Sequence, residues 1–135
     1  MSKLLLKVLV PLATVFVLGV TVVSASGKAY WTISSETVSD HGRWSSYGSP
    51  NKKMTNSNCA SFNGDAQPAK FGYYVHLINN RAASRSDTVP LKLNHTTRAY
   101  NNSGKKGYHY YADVSSQKCE PNTTRVKLHF SADYK

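Results

Sequence analysis

Residues 125–133 read Arg125-Val126-Lys127-Leu128-His129-Phe130-Ser131-Ala132-Asp133, and this alternation decides the fold class. Side chains on a β-strand point to opposite faces with a period of two. Val126, Leu128, Phe130 and Ala132 therefore make one apolar face, and Arg125, Lys127, His129 and Asp133 make a wet, largely basic one. The same rhythm runs through Thr88–Thr96, where Val89, Leu91 and Leu93 oppose Thr88, Lys92 and Asn94. It returns where Tyr108, Tyr110, Ala112 and Val114 oppose His109, Tyr111 and Asp113. Pro90 has no backbone donor, which assigns its strand to an edge. Phe71–Ile78 is aromatic or β-branched at nearly every position and predicts a central strand covered on both faces. Ala29, Trp31 and Ile33 predict a shorter strand that buries those three residues.

Between these runs lie Gly48-Ser49-Pro50-Asn51, Asn63-Gly64-Asp65, Asn101-Asn102-Ser103-Gly104 and Pro121-Asn122, all of turn composition. Asn102–Gly107 predicts a hairpin joining a strand that ends near Tyr100 to one that opens at Tyr108. Asp40–Gln67 is polar and rich in Asn, Ser and Gly, and reads as a long ordered loop tied down by Cys59. No stretch of twelve residues carries a helical apolar period. The expectation is an all-β chain, a small antiparallel β-sandwich or open barrel.

The N-terminus has the layout of an export signal. Lys3 and Lys7 precede the apolar run Val8–Val23, and the small residues Ser24–Gly27 follow it. Cleavage after Ala25 makes 1–25 a signal peptide and 26–135 a single secreted, extracellular domain. Losing Lys3 and Lys7 takes the 17 basic residues to 15, against 7 acidic ones, a net charge of about +8 that favours anionic partners. Cys59 and Cys119 are the only cysteines. In an oxidising compartment an even pair is expected to close one disulfide. Neither stands at a metal-ligand spacing, and no metal or cofactor is expected.

The five histidines and seven carboxylates fall in no nucleophile, metalloprotease or phosphate-loop motif. The sharper feature is the basic set Lys92, Arg98, Arg125, Lys127 and His129. Gathered on the outer face of one sheet, it would make a cationic stripe for an anionic membrane or cell-wall polymer, with nucleic acid as the alternative polyanion. Tyr74 and Tyr111 each oppose a more apolar face of their own strand, so they are the tyrosines expected at the surface beside it. Lysines on outer faces also keep sheets from aggregating, the non-functional role of the same residues.

Two resemblances add expectations. Phe71-Gly72-Tyr73-Tyr74, followed by Arg81, Arg85 and His109, resembles the strand, arginine and histidine order of small secreted microbial ribonucleases. That likeness implies His76 as base, Arg81 as phosphate contact and His109 as acid, although this strand lacks the family's glutamate. The phrases His109-Tyr110-Tyr111-Ala112 and His129-Phe130-Ser131-Ala132-Asp133-Tyr134 resemble small secreted proteins of unknown function from Bacillus-like Gram-positive bacteria, and more faintly the lactococcin-type bacteriocins. This implies a secreted antibacterial or envelope-associated role. Three readings stand open: a non-enzymatic envelope-binding, bacteriocin-like protein, a small secreted ribonuclease, and an extracellular matrix or protein-interaction module.

Overall fold

The computed structural model describes residues 27–135, and the export signal lies outside the described residues. Eight strands follow one another without a helix among the described residues: β1 Thr32–Val38, β2 Asn51–Lys52, β3 Cys59–Ala66, β4 Tyr73–Ile78, β5 Val89–Leu91, β6 Thr96–Tyr100, β7 His109–Ser116 and β8 Thr124–Ser131. They form two four-stranded sheets, ordered β1-β8-β3-β6 and β2-β7-β4-β5. All the strand pairings are antiparallel, so the architecture is a β-sandwich.

The C-terminal stretch is central to the first sheet. Val126, Leu128 and Phe130 are fully buried, and Phe130 pairs in register with Phe62 of β3, their rings stacked at 6.1 Å. Across the interface, Val75 and Leu77 of β4 and Val114 and Ala112 of β7 close the core. Burying a side chain of this size contributes about 1.5–3 kcal/mol each, so these alternating positions are the main source of stability.

Four expectations are corrected. β1 is a strand, but its parity is reversed: Ile33 is 62 % exposed, while Ser34 and Glu36 point inward with Val38. The Asp40–Gln67 segment is not one long loop; it contains β3, with Cys59, Ala60, Ser61 and Phe62 all buried. Asn102–Gly107 is not a hairpin, because β6 and β7 belong to different sheets. Thr88–Thr96 is likewise two strands, with the chain crossing between sheets at Lys92–His95, where Asn94 takes a φ of 54°. The crossing is held by Gly64 N–H donating to the Lys92 carbonyl at 2.9 Å, and Asn94 N–H to that of Gly64 at 2.8 Å. Pro90 does sit on an edge strand, β5.

The expected Cys59–Cys119 disulfide is also not formed: both thiols are free, Cys59 buried and Cys119 exposed. Cys59 opens β3 at the end where Ser61 pairs with Ser131, whereas Cys119 precedes the opposite end of β8 at Thr124. Seven strand residues of about 3.3 Å each separate those ends by roughly 23 Å, far beyond the 4.4–6.8 Å Cα separation a disulfide spans. Burial pushes the Cys59 thiol up, with Arg98 and Lys53 opposing. Titration with a chromogenic disulfide is therefore expected to find one reactive thiol in the native protein and two in denaturant. Zero or two native thiols would contradict this arrangement.

Candidate functional site

Three surfaces gather the chemistry-bearing residues. The first is the outer face of the β1-β8-β3-β6 sheet. Period two sends Arg125, Lys127 and His129 outward along β8, where they pair with Thr37, Ser35 and Ile33 of β1. Arg125 donates to the hydroxyls of Ser35 (3.1 Å) and Thr37 (2.9 Å), which spread its guanidinium over the β1 surface. Lys127 is exposed and makes no ion pair among the described residues. His129 is engaged: its Nδ1 lies 2.8 Å from Asp65, and its ring packs edge-on against Trp31. Arg98 is on the same face, two strands away on β6, its guanidinium 4.2 Å over the Tyr134 ring and bonded to the Lys135 carbonyl. Lys92 is elsewhere, in the crossover after β5. Exposed Ile33, Tyr100 and Tyr134 complete the face.

The second surface is the outer face of the other sheet, which carries Tyr74 and Tyr111. Tyr74 is partly exposed, but Tyr111 is covered by Tyr47, the two rings stacked at 4.9 Å. Both tyrosines are thus on the opposite sheet from the β8 cations. His76 also lies here. Trp44 stacks on its ring at 4.2 Å, its Nε2 is 3.3 Å from Asp113 Oδ2, and its Nδ1 is 3.2 Å from Thr88 Oγ1. Asp113 continues into a buried relay: Ser45 Oγ lies 3.2 Å from Asp113 Oδ1 and 2.6 Å from Glu36 Oε1.

The third is an open cleft of about 1070 Å³ at one end of the sandwich, between the β4–β5 loop, the β6–β7 connection and the start of β7. Arg81, Arg85, Lys105 and His109 line it with Tyr108, Tyr111, Asn79 and Asn80, and no carboxylate does. Its walls are joined by Ser103 N–H donating to the Arg85 carbonyl at 2.8 Å. One wall is braced by Lys105 N–H donating to the Tyr110 hydroxyl at 2.6 Å.

No family model, curated protein or solved structure matches this chain. The chemistry must be read from the side chains alone. Of the ribonuclease-like set, the structure brings Arg81 and His109 into one cleft, but His76 does not line it and both its ring nitrogens already face partners. An acid and a base acting on one phosphodiester must both reach it, and these two histidines share one sheet face but stand about 13 Å apart along it, His76 pairing with Asp113, four residues on from His109. Among the described residues, no group of three or more His, Cys, Asp or Glu side chains could hold a metal ion.

Nothing in the spacing of residues announces that Trp44, Ser45 and Glu36 meet, because they come from β1 and an irregular segment with no periodicity. Lys105 and Tyr108 were missed as site residues for a similar reason. Their signal, a Lys-Lys-Gly-Tyr turn, is the composition of any solvated loop.

Proposed function

We propose that the protein is a secreted, basic, non-enzymatic β-sandwich that binds an anionic cell-envelope surface, with a bacteriocin-like antibacterial action as its biological outcome. The reading rests on one observation: Arg98, Arg125, Lys127 and His129 share the outer face of one sheet, flanked by exposed Ile33, Tyr100 and Tyr134. A sheet face is flat enough to meet a membrane or wall without deforming it. Each Lys or Arg near an anionic surface contributes about 1 kcal/mol, and amphipathic rings add contacts at the headgroup level. The one side-chain carboxylate paired on this face, Asp65, is matched by His129 and leaves Arg125 and Lys127 without an acidic partner, while Arg98 is capped by Tyr134 and the Lys135 main-chain oxygen.

The mature protein is expected to bind vesicles containing anionic lipid, or purified wall, well above neutral vesicles at 50 mM salt, and to lose most of that binding at 500 mM. Arg125→Glu with Lys127→Glu is expected to weaken binding by about 30-fold or more, from roughly 1 kcal/mol per lost cation. Co-sedimentation reads both. Equal, salt-insensitive binding to neutral and anionic vesicles would end the proposal.

A further inference from the structure

The end cleft is a second cationic site, separate from the β8 face in position and in chemistry. Three of its lining residues, Arg81, Arg85 and Lys105, are permanently charged, and no carboxylate among its lining residues offsets them. Concentrated positive charge in a concave site focuses the field on an incoming anion. Guanidinium groups can grip phosphate oxygens in a bidentate fashion. The cleft also contains what a purely ionic site does not need. Tyr108 is 64 % exposed at its rim, and Tyr111 lies beside it, its ring backed by Tyr47. Asn79 and Asn80 add amides that can both donate and accept. Asn79 is already fixed, its Oδ1 accepting from the amides of Arg81 and Ala83 at 2.9 Å each. This bond sets the turn that presents Arg81.

Cations that follow a backbone, interleaved with rings that accept flat partners, are the parts of a single-strand binding groove. At about 1070 Å³ the cleft exceeds the range of about 300–1,000 Å³ usual for a drug-sized ligand. It is an open cleft and not an enclosed cavity, so at that size it has room for a stretch of polymer. A saturated polyol phosphate would engage the cations and leave Tyr108 without a stacking partner. A nucleobase engages both.

We propose that the cleft formed by Arg81, Arg85, Lys105, His109, Tyr108 and Tyr111 binds single-stranded nucleic acid without cleaving it, the phosphates lying on the cations and a base stacking on Tyr108. His109 contributes a ring nitrogen to the backbone. No second acid–base residue completes a hydrolytic pair with it, since His76, four residues further along the same sheet face, does not line the cleft and has both ring nitrogens engaged by Thr88 and Asp113.

The test is fluorescence anisotropy of labelled hexathymidylate with the mature protein. An abasic hexamer with the same phosphates and a glycerol-phosphate oligomer of equal charge serve as comparison ligands. Three phosphate contacts predict that log K falls with log salt at a slope of about −2. Tyr108→Ala is expected to weaken hexathymidylate binding by about 5- to 100-fold, and Tyr108→Phe, which keeps the ring face, to restore it. Arg81→Ala with Arg85→Ala is expected to flatten the slope to about −0.7. Arg125→Glu with Lys127→Glu should leave hexathymidylate affinity within twofold, which separates this site from the envelope-binding face. The proposal is overturned if the abasic or glycerol-phosphate chain binds as tightly as hexathymidylate. Loss of no affinity in a Tyr108→Ala protein that keeps the wild-type dichroism spectrum overturns it as well.

Discussion

Asp133→Ala is expected to lower the unfolding free energy by about 3–5 kcal/mol, the cost of leaving a buried charge without its partner. Lys53 and Asp133 are 1 % and 0 % exposed, with Nζ 3.2 Å from Oδ1. Neither charge is left to that contact alone. Asp133 accepts from Met54 N–H at 2.7 Å, from Thr55 N–H at 3.1 Å and from the Thr55 hydroxyl at 2.6 Å. Lys53 Nζ donates to the carbonyls of Ser57 at 2.8 Å and Ala132 at 3.1 Å. Together these bonds tie the segment after β2 to the chain end beyond β8, which lie in different sheets. A domain of this size has about 5–15 kcal/mol of total stability, so the variant loses a large share of it. Lys53→Met should cost less, because Asp133 keeps its Thr55 and Met54 donors. Burial alone raises the Asp133 carboxyl, but the donors of Thr55, Met54 and Lys53 outweigh it and hold the group below its ordinary 3.8. A depressed folded-state value means stability that is present above the unfolded value and lost as pH falls through the folded one. Wild type is therefore expected to weaken below about pH 4, and Asp133→Ala to lose that acid dependence. Urea titrations read both, and equal midpoints for wild type and Asp133→Ala at pH 6 would remove the clamp from the account of stability.

The strands that could be read from sequence were those with one apolar and one wet face. β8 and the start of β5 alternate cleanly; in β7, Tyr110, Ala112 and Val114 are buried as expected, whereas Tyr108 is exposed and Asp113, expected on the wet face, is buried. β1 misled because its large apolar residues face outward. Ile33 is exposed and Trp31 leans on His129, while the inward Ser34 and Glu36 satisfy each other through a 2.8 Å hydrogen bond. A polar inner face of this kind has no hydrophobic period to find. β3 was hidden for a different reason: Cys59-Ala60-Ser61-Phe62 is buried on both faces. The tail covers its outer side, where Lys135 N–H donates to the Ser61 hydroxyl at 2.9 Å and that hydroxyl to the Asp133 carbonyl at 2.9 Å. The failed disulfide follows the same logic. Cysteine parity is a compartment argument, whereas bridging needs proximity, which strand order alone determines.

The candidate sites divide along the same line. The cations of β8 were legible because one strand's periodicity fixes their common face. Adding Arg98 required knowing that β6 joins the same sheet, and adding Lys92 failed because the chain changes sheets there. The end cleft collects residues from separate connections, and no spacing in sequence encodes which loops meet at one end of a sandwich.

Glu36 carries the last expected result, a stability that falls as pH rises from about 4.5 to about 7. Ser45 Oγ accepts from Val114 N–H at 3.0 Å and lies within hydrogen-bond distance of carboxylate oxygens on both Glu36 and Asp113. It has one proton to give and two carboxylates to serve. With both ionised, Ser45 donates to Glu36 Oε1 at 2.6 Å and its 3.2 Å contact with Asp113 Oδ1 is a repulsion, which a proton on Glu36 relieves by freeing the Ser45 proton. Ser45 then donates to Asp113, which faces His76. Burial pushes Glu36 up to about 7, against the hydrogen bonds from Ser45 and Ser34 and with the charge of Asp113 adding to the rise. Gly48 lets the loop seal this site, since a Cβ there would stand 2.0 Å from Ser34 Oγ and 2.8 Å from Glu36 Oε2. The raised folded-state value makes the linkage opposite to that of Asp133. The stability is full below about pH 4.5, where Glu36 is protonated in both states, and declines as pH climbs through 7. The shift from 4.5 to about 7 corresponds to about 3 kcal/mol lost by pH 8. Glu36→Gln offers Ser45 an uncharged donor in the same place and is expected to be more stable than wild type at pH 8 by a similar amount, with a flat profile from pH 5 to 8. Urea midpoints across that range decide it, and parallel profiles for the two proteins would show that Glu36 is not the titrating group. Taken with Asp133, the two buried carboxyls place maximal stability near about pH 4 to 5, above the range in which Asp133 is protonated and below the one in which Glu36 ionises.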